Sequence, residues 1–309
     1  RAGNRAVCSI VKAAGDDPDC THGAELTAEV ELTETEGIRL QGGPGVAVVT
    51  KPGLGLEVGG PAINPIPRKN ITEMVLEELR EPRTRPPRYQ GASVTISVPG
   101  GEEMAKQTLN ARLGLLGGIS ILGTSGLVKP YSTAAYRASI VQAIDVAVHR
   151  GRKTLVLTTG GKSEQYAMAL FPELPEEAFI QMGDFVGAAV RHCAKRKADR
   201  AIIAGMMGKL SKIADGKLQT HAAGSQVNLD LLAELAAEAG GSEDLCREIR
   251  KANTARHALE LCQKGGIPQI ADLICRRIVR HLSIHVKGKL PIEARLIDFD
   301  GKPLGAAQT

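Results

Sequence analysis

At 309 residues, 43% apolar and 24% charged, with a mean hydropathy of −0.08, the chain is long enough to bury roughly three quarters of its unfolded surface. That excludes disorder and any need for disulfide staples. Four Tyr, four Phe and no Trp leave few rings on which bases could stack, which argues against a nucleic-acid partner. Thirty-nine Lys and Arg against 34 Asp and Glu give a net charge of +5, spread along the chain, which suits an acidic small ligand without requiring one.

The chain opens at Arg1 on a strand already under way, residues 6–11, which predicts a native segment upstream. DDPDCTHG, residues 16–23, crowds Asp16, Asp17, Asp19, Cys20 and His22 together; metal binding is one reading, but acids around a proline are ordinary turn chemistry, and the turn is preferred. Leu26, Ala28, Val30 and Leu32 alternate with Glu25, Thr27, Glu29 and Glu31, predicting a half-exposed antiparallel strand. Residues 46–50 and 93–98 read as further strands. One helix is predicted to start at Asn70, with Glu73 at capping-box spacing, and another to cover 102–112. Three glycine-rich segments, starting at Gly42, Pro61 and Gly117, fix main-chain paths and offer apolar walls; Lys51, Arg68 and Lys129 stand at their edges. REPRTRPPR, from Arg80, reads as an exposed connection. Residues 113–128 carry no charge but hold five Gly and fall short of the ~20 residues of a membrane span. Strands and helices in irregular order predict an α+β domain over 1–148.

After Pro130 the texture becomes regular. A helix over 132–150 repeats Tyr136, Ile140, Ile144 and Val148 at i+4. Short strands at 155–159, 178–182 and 201–204 alternate with helices, the first predicted to be capped by Ser163 and the second by Asp184. Such strands need crossover connections, so 149–309 is predicted to be a Rossmann-like three-layer α/β domain, with a helical annex over 227–287 and a final strand and turn over 292–300. Six scattered cysteines without a C-x-x-C predict reduced thiols, no structural zinc and a cytoplasmic protein.

In such a sheet ligands bind beyond the carboxyl ends of the strands. TTGGKS, residues 158–163, is therefore the first candidate: Gly160 and Gly161 let the backbone approach a ligand, or simply make a tight turn. Asp184, ending the next strand, suits a ribose-binding acid as well as a helix cap. GMMGKLSK, residues 205–212, lacks phosphate-loop spacing, but Lys209 and Lys212, with His221 near in sequence, lie on the ligand side; they are surface lysines or a carboxylate clamp. His281 and His285 lack the glutamate of a zinc helix, no metal site is expected, and no nucleophile elbow is present.

DDPDCTHGA, GVAVVTKPGLGLEVGGPAINPIPR, GGISILGTSGLVKP, AFIQMGDFVG and AGMMGKLSK together resemble the CbiD family, the cobalt-precorrin-5B C1-methyltransferases of anaerobic cobalamin biosynthesis, over about residues 11–304. Family members usually open with a segment resembling G-x-T-T-G-x-C-A-A, which does not occur here. The resemblance implies methylation of carbon 1 of a cobalt-containing tetrapyrrole with S-adenosyl-L-methionine. Placed on this chain, the cofactor is expected at Thr159, Gly160, Gly161, Ser163 and Asp184, and substrate carboxylates at Lys51, Arg68, Lys129, Lys209 and Lys212. His221 is the expected proton-handling residue. The scarcity of rings favours aliphatic and main-chain walls around the macrocycle. A nicotinamide-dependent oxidoreductase and a non-enzymatic tetrapyrrole-binding protein are the alternatives, and homo-oligomerisation stays open.

Overall fold

The computed structural model describes residues 3–80, 89–128, 132–221 and 224–309, so Lys129 and most of the arginine-proline run from Arg80 lie outside the described residues. The protein is a mixed α/β chain that divides into two compact units, Arg1–Thr133 and Ala134–Thr309.

The first unit comprises β1 (Arg5–Val11), β2 (Glu25–Thr33), β3 (Gly37–Gly42), β4 (Gly45–Val46), β5 (Val48–Val49), α1 (Pro65–Arg80), β6 (Gly91–Ser97), α2 (Gly101–Ala105), α3 (Asn110–Leu113), β7 (Leu115–Leu116) and β8 (Gly118–Ile119). Its sheet runs β1-β2-β6-β3, with β2 antiparallel to both neighbours as the alternation predicts, and β3 parallel to β6. Leu26, Ala28 and Val30 of β2 turn toward a core of Leu40, Val46, Ile63, Val94, Ile96, Val98 and Ile119. Three expectations need correcting. The strand over 46–50 is two short pieces, β4 pairing with β8 and β5 with β7. α1 starts at Pro65, where a missing N–H costs nothing, and Asn70 lies inside it with Nδ2 donating to Thr124 O. The helix over 102–112 breaks because Thr108 Oγ1 donates to Ala105 O and accepts from Asn110 N, competing with the helical ladder. The acidic cluster is a turn: Asp19 pairs with Lys12 and accepts from Thr21 N and Oγ1, while His22 Nδ1 accepts from Ala14 N.

The second unit comprises α4 (Thr133–His149), β9 (Thr154–Thr158), α5 (Gly161–Leu170), β10 (Phe179–Gln181), α6 (Val186–Lys195), β11 (Arg200–Gly205), α7 (Met207–Ala214), α8 (Leu229–Glu238), α9 (Glu243–Arg250), α10 (Ala255–Lys264), α11 (Ile270–His285), β12 (Ile292–Ile297) and β13 (Pro303–Gln308). The units divide at the start of α4, and all of that helix from Ala134 on belongs to the second unit, with Ile140, Ile144 and Ala147 buried in its core. The sheet order is β10-β9-β11-β12-β13, parallel except for β13, which is antiparallel to β12.

The strands read as near-continuous apolar runs because both faces are covered. Leu155, Leu157, Ala201, Ile203, Ala294 and Leu296 point into a core shared with α4, α6, α7, α8 and α11. The alternate residues Val156, Ile202, Ala204 and Ile297 face Ala167 of α5. The helices after β9 and β11 therefore cover opposite faces, and the strand order reverses between those two neighbours.

No helix among the described residues is long and apolar enough to cross a membrane. All six cysteines are free, and burial pushes the thiols of Cys193 and Cys275 up to about 12 and that of Cys262 up to about 11, so none of these three is a ready nucleophile.

Candidate ligand site at the carboxyl edge of the second sheet

A crevice opens where neighbouring parallel strands send their helices to opposite faces. Here that point lies between the loops following β9 and β11. Three helices begin along this edge, α5 after Gly160, α6 after Phe185 and α7 after Met206, and no side chain caps any of them. Three other helices of this unit are capped: Asn228, Ser242 and Thr254 accept from Leu231 N, Leu245 N and His257 N at the starts of α8, α9 and α10, while α11 begins without a side-chain cap. A helix start left uncapped by its own chain presents N–H donors and positive dipole ends to a bound group.

Both expected side-chain caps are therefore corrected. Ser163 lies in the first turn of α5, where its Oγ donates to Gly160 O at 2.8 Å and meets Thr159 Oγ1 at 3.2 Å. Asp184 precedes the cap of α6 and turns elsewhere. Thr220 Oγ1 donates to its Oδ1 at 2.8 Å and Lys209 Nζ lies 3.1 Å from the same atom. Asp184 Oδ2 has no partner among the described residues. Burial raises the Asp184 carboxyl, but the bonds from Thr220 and Lys209 and the charges of Lys209 and His221 outweigh it and hold the group below the usual carboxylate range. Asp184 is thus an ionised acid with one oxygen anchored and one open.

Lys209 also donates to Thr159 O at 2.9 Å, so one ammonium joins the ends of β9, β10 and β11. Lys212, expected to clamp substrate, is buried and donates to Thr220 O at 3.0 Å; it tethers the loop that orients Asp184. His221 is exposed beside that loop. Gly160 faces open space, with nothing within 4 Å of where a Cβ would stand, and Gly161 is nearly as clear. Thr159, Gly160, Gly161, Ser163, Asp184, Lys209 and His221 therefore belong to one neighbourhood. In the first unit, Lys51 lays its stem over Gly114 and donates to Arg112 O at 3.3 Å, while Arg68 is half-buried on α1.

Sequence reasoning missed several groups at this edge. Gln181 Nε2 donates to the buried Glu164 at 2.7 Å, Thr220 holds Asp184, and Tyr136 reaches over from α4 with its hydroxyl 3.4 Å from Gln181 O. Lys162 Nζ stands over the rings of Tyr166 and Phe299, at 5.6 and 5.9 Å. The one legible signal was position, and only for Gln181, Lys162 and Glu164, which lie at or just after the ends of β10 and β9.

Gly205 shows how tightly the ends of β9 and β11 pack. A Cβ there would lie 2.7 Å from Thr159 Oγ1 and 2.8 Å from its Cγ2. Gly205→Ala is expected to push the Thr159 loop outward at a cost of about 1–3 kcal/mol. A lowered denaturation midpoint together with weakened cofactor binding in calorimetry would bear this out; unchanged values would show that the loop yields freely.

A parallel sheet with an anchored acid, a clear glycine loop and uncapped helix starts at its strand-order reversal marks the open α/β sheets that bind small ligands beyond their strand ends. Residues 1–130 match the family model CbiD and residues 219–308 match CbiD, C-terminal domain. This chain belongs to the CbiD family. A protein of Leptospira interrogans serogroup Icterohaemorrhagiae serovar copenhageni, named cobalt-precorrin-5B C(1)-methyltransferase, is 56% identical over 306 residues, covering 99% of this chain and 82% of its own length. One of the same name from Rubrobacter xylanophilus is 53% identical over 299 residues, covering 96% of this chain and 76% of its own. The crystal structure of a cobalamin biosynthesis protein (cbiD) from Archaeoglobus fulgidus is 31% identical, with a TM-score of 0.32, over 68% of this chain and 63% of that one, less than two thirds of its length.

Proposed function

We propose that this chain methylates cobalt-precorrin-5B at C1 with S-adenosyl-L-methionine, giving cobalt-precorrin-6A in anaerobic cobalamin biosynthesis, with the second unit acting as a Rossmann-like cofactor domain. The observation that carries the reading is identity above 50% to relatives named for this reaction across nearly the whole chain. The site geometry supports the donor. Open space at Gly160, the open Oδ2 of Asp184 and the uncapped start of α5 fit a nucleoside with a charged tail.

Bound S-adenosyl-L-methionine supplies an electrophilic methyl group already activated by its sulfonium. What the protein must add is alignment, so the absence of a nucleophile elbow is no obstacle. Asp184 Oδ2 would accept from the ribose, and the Thr159–Ser163 turn would hold the backbone of the Gly160 loop against the donor. His221 would take up, on an imidazole nitrogen, any proton the methylated ring releases. Lys51, Arg68 and Lys129 are the first unit's candidates for substrate carboxylates. In the second unit Lys162, at the start of α5, is better placed than the inward-turned Lys212. A cytoplasmic setting agrees with six free thiols.

The test is mass spectrometry of cobalt-precorrin-5B incubated with the protein and methyl-labelled S-adenosyl-L-methionine, paired with calorimetric titration of that cofactor and of NADH. One added labelled methyl and binding of the former alone are expected. Binding of NADH alone would favour an oxidoreductase, and binding of the tetrapyrrole with no methyl gained would favour a carrier.

A further inference from the structure

Tyr136 and Phe185 form a ring pair at the end of β10, with centroids 5.7 Å apart, in a chain with only four Tyr and four Phe. The pair depends on Gly183. That residue makes the turn between β10 and Asp184 at φ +56°, and a Cβ on it would meet the Tyr136 hydroxyl at 2.7 Å and two ring carbons at 2.9 and 3.0 Å. The ring thus rests on bare backbone. Phe185 packs against it with the two rings tilted by 36°, and the Tyr136 hydroxyl points to Gln181 O, yet 41% of Tyr136 stays exposed. An aromatic ring braced in this way but left partly exposed offers a surface to a flat partner.

Its neighbours say what that partner is. The next residue after Gly183 is Asp184, with its open oxygen, and both Asp184 and Glu164 act on the Tyr136 hydroxyl. Burial and these two negative charges push the phenol up, so it stays neutral near pH 7 and offers an apolar face with a hydrogen-bond donor. A ring wall adjoining a carboxylate with one open oxygen matches a nucleoside, whose base has a π face and whose sugar has paired hydroxyls.

We infer that Tyr136, braced by Phe185 and seated on Gly183, is the wall against which the adenine of the methyl donor packs. The inference rests on the reading of this crevice as the S-adenosyl-L-methionine site and names the part of it that recognises the base. Gly183 is then required twice over, for its left-handed turn and for the ring above it.

Calorimetric titration of S-adenosylhomocysteine tests this on the wild type and on Tyr136→Phe, Tyr136→Ala and Gly183→Ala, with thermal melts confirming folding. Wild type and Tyr136→Phe are expected to bind alike. Tyr136→Ala should bind about ten- to a hundredfold more weakly, and Gly183→Ala should weaken binding as well, because its methyl group displaces the ring. Should the alanine variant at 136 fail to fold, Tyr136→Leu, which fills the space without a π face, replaces it and should show the same loss. Wild-type affinity in a folded Tyr136→Ala or Tyr136→Leu protein overturns the wall and leaves the donor site standing. A loss in Tyr136→Phe equal to that in Tyr136→Ala also overturns it, since the hydroxyl and not the ring would then matter. No binding to the wild type overturns the donor site and the wall together.

Discussion

Asp184→Asn is expected to lower the affinity for S-adenosyl-L-methionine at least about tenfold and to leave the fold intact, because the substitution removes the charge at Oδ2 but keeps an oxygen for Thr220 to donate to. Hydrogen bonds to an ionised acceptor contribute roughly 1.5–3 kcal/mol, about twice a neutral pair. Two ribose hydroxyls facing one carboxylate would place the loss at the upper end of that range. Asp184→Ala goes further, since Lys209 and Thr220 both lose their acceptor and the loop carrying Thr220 and His221 loses its anchor. The two variants separate contact from scaffolding: a purely structural Asp184 would spare binding in the asparagine variant and show its defect in the alanine variant alone. Titration of cofactor and of S-adenosylhomocysteine against both, beside their melting curves, reads the difference. Unchanged affinity in the folded asparagine variant would remove Asp184 from the ribose.

Asp184 was legible from the sequence because its place depends on alternation alone. Short apolar runs buried on both faces announce parallel strands, glycines and acids mark their ends, and the topology makes those ends the place to look for a ligand site. What escaped was set by contacts between residues distant in the chain. β13 went unpredicted because PLGAAQ has little strand propensity, yet α11 lies so close that a Cβ on Gly305 would sit 2.5 Å from the carbonyl carbon of Ala271; only small residues fit there. β3, flanked by glycines and mostly exposed, gives no clean alternation until β6 pairs with it. The role of Lys212 was misread for the same reason. A lysine near a binding loop looks like a clamp in the sequence, and only the fold shows its ammonium turned inward to Thr220 O. Tyr136 was read as one step of a helical stripe, because nothing in the sequence says that Gly183 will lie beneath it.

The remaining lysine of that loop yields the second large effect. Lys209→Met is expected to weaken cofactor binding about tenfold or more and to move its acid limit to higher pH. Lys209 is half-exposed and makes two bonds, to Thr159 O and to Asp184 Oδ1, so its loss frees the ends of β9 and β10 from each other. It also takes away the Lys209 hydrogen bond and the Lys209 charge, two of the influences that hold the Asp184 carboxyl low; those of Thr220 and His221 remain. The sign follows from linkage. A carboxylate depressed in the folded protein contributes its stability, and here its binding charge, above the ordinary value of about 3.9, and loses both as pH falls through the depressed value. Without Lys209 that folded value rises toward the ordinary one. The decline in affinity then begins at higher pH than in the wild type, and the stability linked to Asp184 shrinks. Calorimetry with S-adenosylhomocysteine from about pH 2.5 to 6, with melting temperatures across the same range, measures both. If Lys209 only contacts substrate, cofactor binding and its pH profile will match the wild type, and the joining of three strand ends by one ammonium will have no part in preparing the site.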